Sequence, residues 1–122
     1  MESEALGKSY PDGEVIIKEG ETGDRMFVIQ KGAVDVSRRI DGRDVSIARL
    51  TAGDVFGEMA IFEREVRSAT VRAAGEVRLL SIDRAGFLRK VHEDPSLAYR
   101  VLQQLSRRIR QLSEELARLK RG

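Results

Sequence analysis

Residues 56–71 read FGEMAIFEREVRSATV, a segment with neither the alternation of a strand nor the spacing of a long helix. Gly57 permits a close backbone approach, and residues 58–62 can form one helical turn whose free N–H groups point back past that glycine. Helix N-termini bind anions, and Arg67 follows nine residues after Glu58, where a β-branched run begins. An arginine beside backbone N–H groups that have no partner within the helix can bind a phosphate together with them. The segment therefore predicts a phosphate-binding site.

Glu58 predicts a different contact, because a carboxylate and a phosphate repel each other. Its oxygens suit a hydroxyl donor, such as a ribose 2′-OH one ring away from a bound phosphate. The alternative is that Glu58 and Arg67 are solvated surface charges, which is the usual state of isolated charged residues. The two residues alone leave both interpretations open.

Short strand-like runs lie on both sides of this segment, separated by turns that contain glycine. Asp41-Gly42 is typical of a type I′ hairpin, and Gly20 with Gly23, Lys31-Gly32 and residues 74–76 predict further turns. At least six runs occur, at residues 14–18, 26–30, 34–37, 45–50, 69–73 and 77–82. This spacing predicts an antiparallel barrel, roll or sandwich.

Two helices are predicted after residue 82. Asp83 caps the first, which runs to His92 with apolar residues at helical spacing. Asp94 caps the second, and Pro95 occupies its first turn, where proline is tolerated. This helix continues to about Lys120 without an internal glycine or proline.

The second helix carries apolar residues at alternating spacings of four and three. They are Ala98, Leu102, Leu105, Ile109, Leu112, Leu116 and Leu119, which we name the seam. Leu97 and Val101 form a second apolar edge near the helix start only. About 25 residues at 1.5 Å each span roughly 37 Å, longer than a roll of this size is wide. We therefore expect a parallel two-helix dimer; one amphipathic helix lying on the sheet is the alternative.

The composition excludes several kinds of site. The chain has no cysteine and one histidine, His92, so disulfides, cysteine-ligated metals and histidine-rich metal sites are excluded. No apolar run approaches the length of a membrane span and no secretory signal opens the chain, so a cytoplasmic protein without membrane contact is expected. The net charge of +2 combines −3 on residues 1–94 with +5 on residues 95–122. Nucleic-acid binding by this basic helix is an alternative, but we expect none that is specific, because arginines flanking a seam account for the charge.

Several motifs occur in a fixed order along the chain. They are Gly13-Glu14, Gly20-Glu-Thr-Gly23-Asp24, Met26-Phe-Val-Ile, Gly32-x-Val-x-Val, Gly53-Asp54-x-Phe-Gly, Gly57-Glu58-Met-Ala-Ile-Phe and Arg67-Ser-Ala-Thr-Val. Together they resemble the turns and the phosphate-binding cassette of cyclic nucleotide-binding domains, within them the bacterial catabolite-activator-like branch. The resemblance implies a mainly β, α+β fold: an eight-stranded antiparallel β-roll of the double-stranded β-helix or jelly-roll type, a short cassette helix and a long C-terminal helix that dimerises. We expect one domain overall, with a roll core at 1–94 and a lid and dimer helix at 95–122.

The resemblance also implies roles for the cassette residues. Glu58 accepts the ribose 2′-OH, and Arg67 pairs with the cyclic phosphate. The Ser68 hydroxyl and amide complete the cradle with the amides of Gly57 and Ala69. The implied ligand-binding set is Gly57, Glu58, Met59, Ala60, Arg67, Ser68, Ala69, Val71, Leu112 and Ser113.

Base recognition follows from the same resemblance. Val71 and an apolar wall around Met59 and Ile61 line the sugar and base. Two adjacent hydroxyl residues of the C-terminal helix reach adenine in the activators, and Leu112 and Ser113 stand in their place. Members that prefer cGMP often have threonine just after the cassette arginine, where this chain has serine, so cAMP is expected over cGMP.

These roles predict a cyclic-nucleotide sensor that is not an enzyme and needs no metal. Its expected partners are the nucleotide, a second copy of the chain and an unidentified effector protein. A phosphodiester hydrolase is one alternative, although one histidine and no clustered carboxylates near Glu58 suit it poorly. A relative that keeps the fold without binding nucleotide is a second, and a fragment of a regulator whose output domain is absent is a third. Met1 and the polar helix end favour a free-standing module over a fragment.

Overall fold

The computed structural model describes residues 7–63 and 66–121 of the chain. Those residues form six strands and three helices, in the order β1 (Lys8–Tyr10), β2 (Val15–Ile17), β3 (Arg25–Ile40), β4 (Arg43–Thr51), β5 (Val55–Phe56), α1 (Met59–Glu63), β6 (Thr70–Asp83), α2 (Arg84–Glu93) and α3 (Ser96–Arg121). The chain separates into two compact units, Met1–Phe87 and Leu88–Gly122. The domain boundary near residue 94 and the lid role of the last helix stay predictions.

The described strands pair antiparallel in one sheet of order β1-β6-β3-β4, in which β2 also pairs with β6 and β5 with β3. β3 and β6 form the longest ladder, from Arg25 opposite Asp83 to Ser37 opposite Thr70. The predicted mainly β, antiparallel architecture is therefore confirmed. This ladder brings the start of β6, and the cassette residues just before it, to the strands formed by the first forty residues.

Two predicted turns lie inside long strands instead of ending them. Gly32 (φ +91°) belongs to β3 and Gly75 (φ +75°) lies within β6, and the β3–β6 register shifts between Lys31 and Ala33. Glycine adopts positive φ at little cost, so each residue permits a bulge that bends the strand without ending the ladder. The runs at 26–30 and 34–37 therefore merge into β3, and those at 69–73 and 77–82 merge into β6.

The hairpin prediction holds between β3 and β4. Asp41 (φ +53°) and Gly42 (φ +78°) both have positive φ, as a type I′ turn requires. The ladder closes on this turn with Ile40 opposite Arg43.

Alternate residues of the strands form the apolar core. Ile29, Val34, Val77 and Leu79 are at most 1% exposed, and they pack in one cluster with Phe27, Phe56, Ile17, Val71 and Ala73. The Phe27 and Phe56 rings stack with centroids 5.1 Å apart. This stacking fixes β5 against β3 immediately before the cassette.

The predicted helix caps are present. The Asp83 Oδ1 accepts from the Gly86 N–H at 2.7 Å, and the Asp94 Oδ1 accepts from the Ser96 N–H at 3.1 Å. On α3, Leu97 and Val101 are buried, whereas several seam residues are 56–76% exposed: Leu102, Ile109, Leu112, Leu116 and Leu119. The two apolar edges predicted for this helix thus differ in burial, and the dimer stays a prediction.

Candidate functional site

The candidate site begins at Gly57, directly after β5 ends at Phe56. The φ of Gly57 is +74°, and a Cβ there would lie 2.9 Å from the Arg67 Nη1 and 3.1 Å from the Arg25 carbonyl oxygen. Both the backbone conformation and the close approach therefore require glycine. The chain then turns into α1, in which the Ala60 N–H donates to the Gly57 carbonyl and the Ile61 N–H to the Glu58 carbonyl, at 3.2 and 3.0 Å. The predicted single helical turn is present.

Glu58, between Gly57 and α1, is 3% exposed. A buried carboxylate is costly unless its surroundings compensate for the lost hydration, so this position is typical of a functional or structural contact. The interpretation of Glu58 as a solvated surface charge is wrong. The residue expected to accept a ribose hydroxyl is therefore buried within the fold.

The backbone of Arg67 is fixed by the turn that precedes β3. Its N–H donates to the Glu21 carbonyl at 2.7 Å, and its carbonyl accepts from the Gly20 N–H at 2.9 Å. Beside it, Thr22 and Val66 form an isolated antiparallel bridge. These contacts hold the arginine against residues more than forty positions earlier in the chain.

The Arg67 side chain joins this turn to the start of the cassette. Its Nη1 donates to the Gly57 carbonyl at 3.2 Å and its Nη2 donates to the Arg25 carbonyl at 2.8 Å. Burial lowers the pKa of Arg67, and the negative charges of Asp24 and Glu58 oppose that shift. The guanidinium remains a cation, since arginine stays protonated in proteins. A half-buried cation and a buried carboxylate therefore lie close enough to interact at Gly57.

The remaining predicted residues differ in accessibility. Ala60 and Val71 are buried, Ala69 is half-buried, and Met59 and Ser68 are exposed. Leu112 and Ser113 are exposed on α3, in the compact unit that follows residue 87. The structure thus brings Gly57, Glu58 and Arg67 together, and the base contacts of Leu112 and Ser113 stay a prediction.

The sequence alone assigns no site role to Gly23, Asp24 or the Arg25 carbonyl, all of which surround the Arg67 guanidinium. The motif Gly20-Glu-Thr-Gly23-Asp24 predicts only a turn. Its second glycine gives no signal in the sequence, because only the structure shows that the φ of Gly23 lies outside the left-handed region and that the turn does not require glycine there.

A separate groove of about 570 Å³ lies away from the cassette. Its lining is charged, with Asp12, Asp44 and Arg72 beside the ion pair in which the Arg49 Nε donates to the Asp35 Oδ1 at 3.0 Å. The Arg49 side chain is exposed and the Asp35 side chain is half-buried, so water still screens this surface ion pair.

Within residues 7–63 and 66–121, no three or more His, Cys, Asp or Glu side chains cluster as metal ligands would. Over the same ranges, no helix is both long enough and apolar enough to cross a membrane.

A comparison with protein-family models shows which family the chain belongs to. Residues 7–94 match the family model of the cyclic nucleotide-binding domain. The chain belongs to this family. Over 111 residues, this cyclic nucleotide-binding domain is 34% identical to a CRP-like cAMP-activated global transcriptional regulator of Mycobacterium tuberculosis, and that match includes 90% of the chain. The chain spans about half the length of this curated relative (50%).

Solved structures give the same fold. The catabolite activator protein of Thermus thermophilus superposes with a TM-score of 0.82 at 28% identity, covering 96% of this chain and 56% of that protein. This similarity confirms the predicted β-roll and the catabolite-activator-like resemblance. The described residues form six strands where eight were expected, because the runs at 26–30 and 34–37 merge into β3 and those at 69–73 and 77–82 merge into β6. The EAL enzyme Bd1971 is similar in its cGMP-bound form, with TM-score 0.65, 29% identity and coverage of 93% of this chain and 31% of the enzyme. The cAMP-bound form of the same enzyme is similar with a TM-score of 0.64 at 28% identity, covering 90% of this chain and 30% of the enzyme.

Proposed function

We propose that this cyclic nucleotide-binding domain is a regulatory module that binds cAMP, with Arg67 on the cyclic phosphate and Glu58 on the ribose 2′-OH. The observation that carries the proposal is the junction at Gly57, where a half-buried guanidinium and a buried carboxylate flank the start of α1. A cyclic nucleotide presents one anionic phosphate and one hydroxyl on the same ribose. The two side chains offer complementary chemistry to these two groups.

The arginine can bind a phosphate without releasing its present partners. A guanidinium carries five N–H donors, and its bonds to the Gly57 and Arg25 carbonyls use one donor on each terminal nitrogen. Phosphate oxygens can accept from the others. The carbonyl bonds hold the guanidinium in one orientation, which lowers the entropic cost of binding the ligand.

The choice of cAMP over cGMP rests on Ser68, which lacks the methyl group of the threonine typical of cGMP-preferring members. The name of the mycobacterial relative, which includes cAMP activation, agrees with this choice. Bd1971 was solved with each nucleotide. Both ligands therefore belong in every binding experiment, with cAMP expected to bind more tightly.

Isothermal titration calorimetry of the chain tests the proposal. A charge-assisted hydrogen bond contributes roughly 1.5–3 kcal/mol, so Arg67→Ala should weaken cAMP binding by about ten- to a hundred-fold. Arg72→Ala is the matched control, since it removes an equal charge from an exposed side chain of β6. No binding heat from either nucleotide at millimolar concentration, or equal losses from both variants, would contradict the proposal.

Regulation requires that the site influence a partner surface, and we propose that this surface is the seam of α3. In a parallel pair of these helices, Glu115 at a g position faces Lys120 at the following e position of the other copy. This pairing of opposite charges agrees with the expected orientation. Leu112 and Ser113 lie on the same helix, so closure of these residues over the base would change the packing of the seam.

Hydrogen exchange measures this coupling. Saturating cAMP should slow amide exchange within residues 97–116, because the ligand favours one packing of the helix. Unchanged exchange there, with protection at Gly57 and Arg67, would show a binding site without the proposed output. Incubation with cAMP should release no AMP; its release would favour the hydrolase alternative.

A further inference from the structure

One short turn holds Arg67 on several sides. Residues 20–25 supply the carbonyl and the N–H that fix the Arg67 backbone, the carbonyl that accepts from its Nη2, and the nearby charge of Asp24. Gly23 lies in the middle of this turn. Its role differs from that of its neighbours, because it offers the arginine no functional group.

The conformation of Gly23 does not explain why glycine stands there. Its φ lies outside the left-handed region, unlike those of Gly20 and Gly57. A Cβ built on Gly23 would instead lie 2.5 Å from the Arg67 Nε and 2.7 Å from the Arg67 Cζ, and it would also meet the Nη2. Non-bonded carbon and nitrogen atoms do not approach so closely, so the guanidinium occupies the space that any other residue's Cβ would fill.

We propose that Gly23 is a positioning residue for nucleotide binding: its missing side chain leaves the space in which the Arg67 guanidinium is oriented toward the phosphate. The inference rests on the proposed function, because it takes Arg67 as the phosphate ligand. The arginine is flexible, so a Cβ at residue 23 would displace the guanidinium rather than break the fold. Displacement would lengthen the bonds to the Gly57 and Arg25 carbonyls, and the fixed orientation would be lost.

The test is a double-mutant cycle of Gly23→Ala and Arg67→Ala, measured by calorimetry with cAMP and by thermal unfolding without ligand. Gly23→Ala should weaken cAMP binding by roughly ten- to a hundred-fold, as expected for loss of a charged hydrogen bond. In the Arg67→Ala background it should cause less than about a twofold further change, because the group it displaces is gone. Gly53→Ala is the control, since Gly53 (φ +93°) has no atom within 4 Å of the place that a Cβ would take. That substitution strains a backbone turn without displacing a neighbour, so cAMP affinity should be kept.

Thermal unfolding separates the failure of this inference from failure of the proposed function. In the free protein, Gly23→Ala should lower Tm, and the double variant should unfold no earlier than Arg67→Ala alone. That coupling is expected whatever ligand the domain binds. Wild-type-like cAMP affinity of Gly23→Ala, or a Tm loss that persists undiminished in the Arg67→Ala background, would overturn the role of Gly23 even if Arg67→Ala binds weakly as proposed.

Discussion

Removal of the Glu58 carboxylate should abolish the discrimination between cAMP and 2′-deoxy-cAMP. The wild-type chain should bind cAMP more tightly than the deoxy analogue, because only cAMP has the hydroxyl that Glu58 is proposed to accept. Glu58→Ala should bind both ligands with the same weakened affinity. The ligand and the side chain thus form the two arms of a double-mutant cycle.

The magnitude follows from the burial of Glu58, which is 3% exposed. Water competes little for a carboxylate in that position, so its hydrogen bond to a hydroxyl falls in the range of about 1.5–3 kcal/mol for charged partners. This range corresponds to a loss of roughly ten- to a hundred-fold in affinity when the hydroxyl is absent. Glu58→Gln keeps an acceptor oxygen without the charge, so its discrimination should fall to about two- to tenfold, the range of a neutral hydrogen bond.

Calorimetric titrations with both ligands on the wild type, Glu58→Ala and Glu58→Gln complete the cycle. Glu76→Ala controls for the change in net charge, since Glu76 is exposed on β6. Far-UV circular dichroism checks that each variant is folded before titration. Equal affinities of cAMP and its deoxy analogue for the wild type, or undiminished discrimination by folded Glu58→Ala, would refute the assigned role.

Three further predictions concern the rest of the chain. Ile109→Asp places a charge in the seam and should sediment as a monomer at concentrations where the wild type and the off-seam control Gln111→Asp sediment as dimers; a dimeric Ile109→Asp would contradict the seam. Leu79→Ala should lower the free energy of unfolding in urea by about 2–5 kcal/mol, because Leu79 is 1% exposed in the core cluster, whereas Leu88→Ala at a 61% exposed position should change it little. Hydrogen bonds from the Ser96 hydroxyl and N–H hold the pKa of Asp94 below its usual value, so the ionised carboxylate stabilises the folded chain. That stabilisation is complete above about pH 4 and is lost as the pH falls through the depressed pKa, so Tm of Asp94→Ala should fall less than that of the wild type on acidification; parallel Tm profiles would contradict the cap.

Local features of the fold could be predicted because their causes lie within a few residues. The caps of Asp83 and Asp94 and the Asp41-Gly42 hairpin each depend on side chains and dihedrals close in sequence. Strands β1 and β5 are not among the strand-like runs, because β1 (Lys8–Tyr10) has no apolar run like that of β2 and β5 (Val55–Phe56) has only two residues. They form because β6 and β3 offer them partners far along the chain.

The candidate site could also be predicted only in part from the sequence. Gly57, Glu58 and Arg67 could be proposed from their spacing and from the family resemblance. The burial of Glu58 and the contact of Gly23 with Arg67 could not, because both arise when segments more than thirty residues apart meet in the roll. The local sequence around a glycine does not show whether the residue permits a bulge within a strand or ends the strand. For this reason the sequence around Gly32 predicts a turn, although Gly32 lies within β3.

A crystal structure of the chain with cAMP bound tests the central claim most directly. We predict that the cyclic phosphate accepts hydrogen bonds from the Arg67 guanidinium, and that the ribose 2′-OH donates to the Glu58 carboxylate at a hydrogen-bonding distance of about 2.5–3.0 Å. A nucleotide bound elsewhere on the molecule, or one at Gly57 with Arg67 turned away from its phosphate, would contradict the claim.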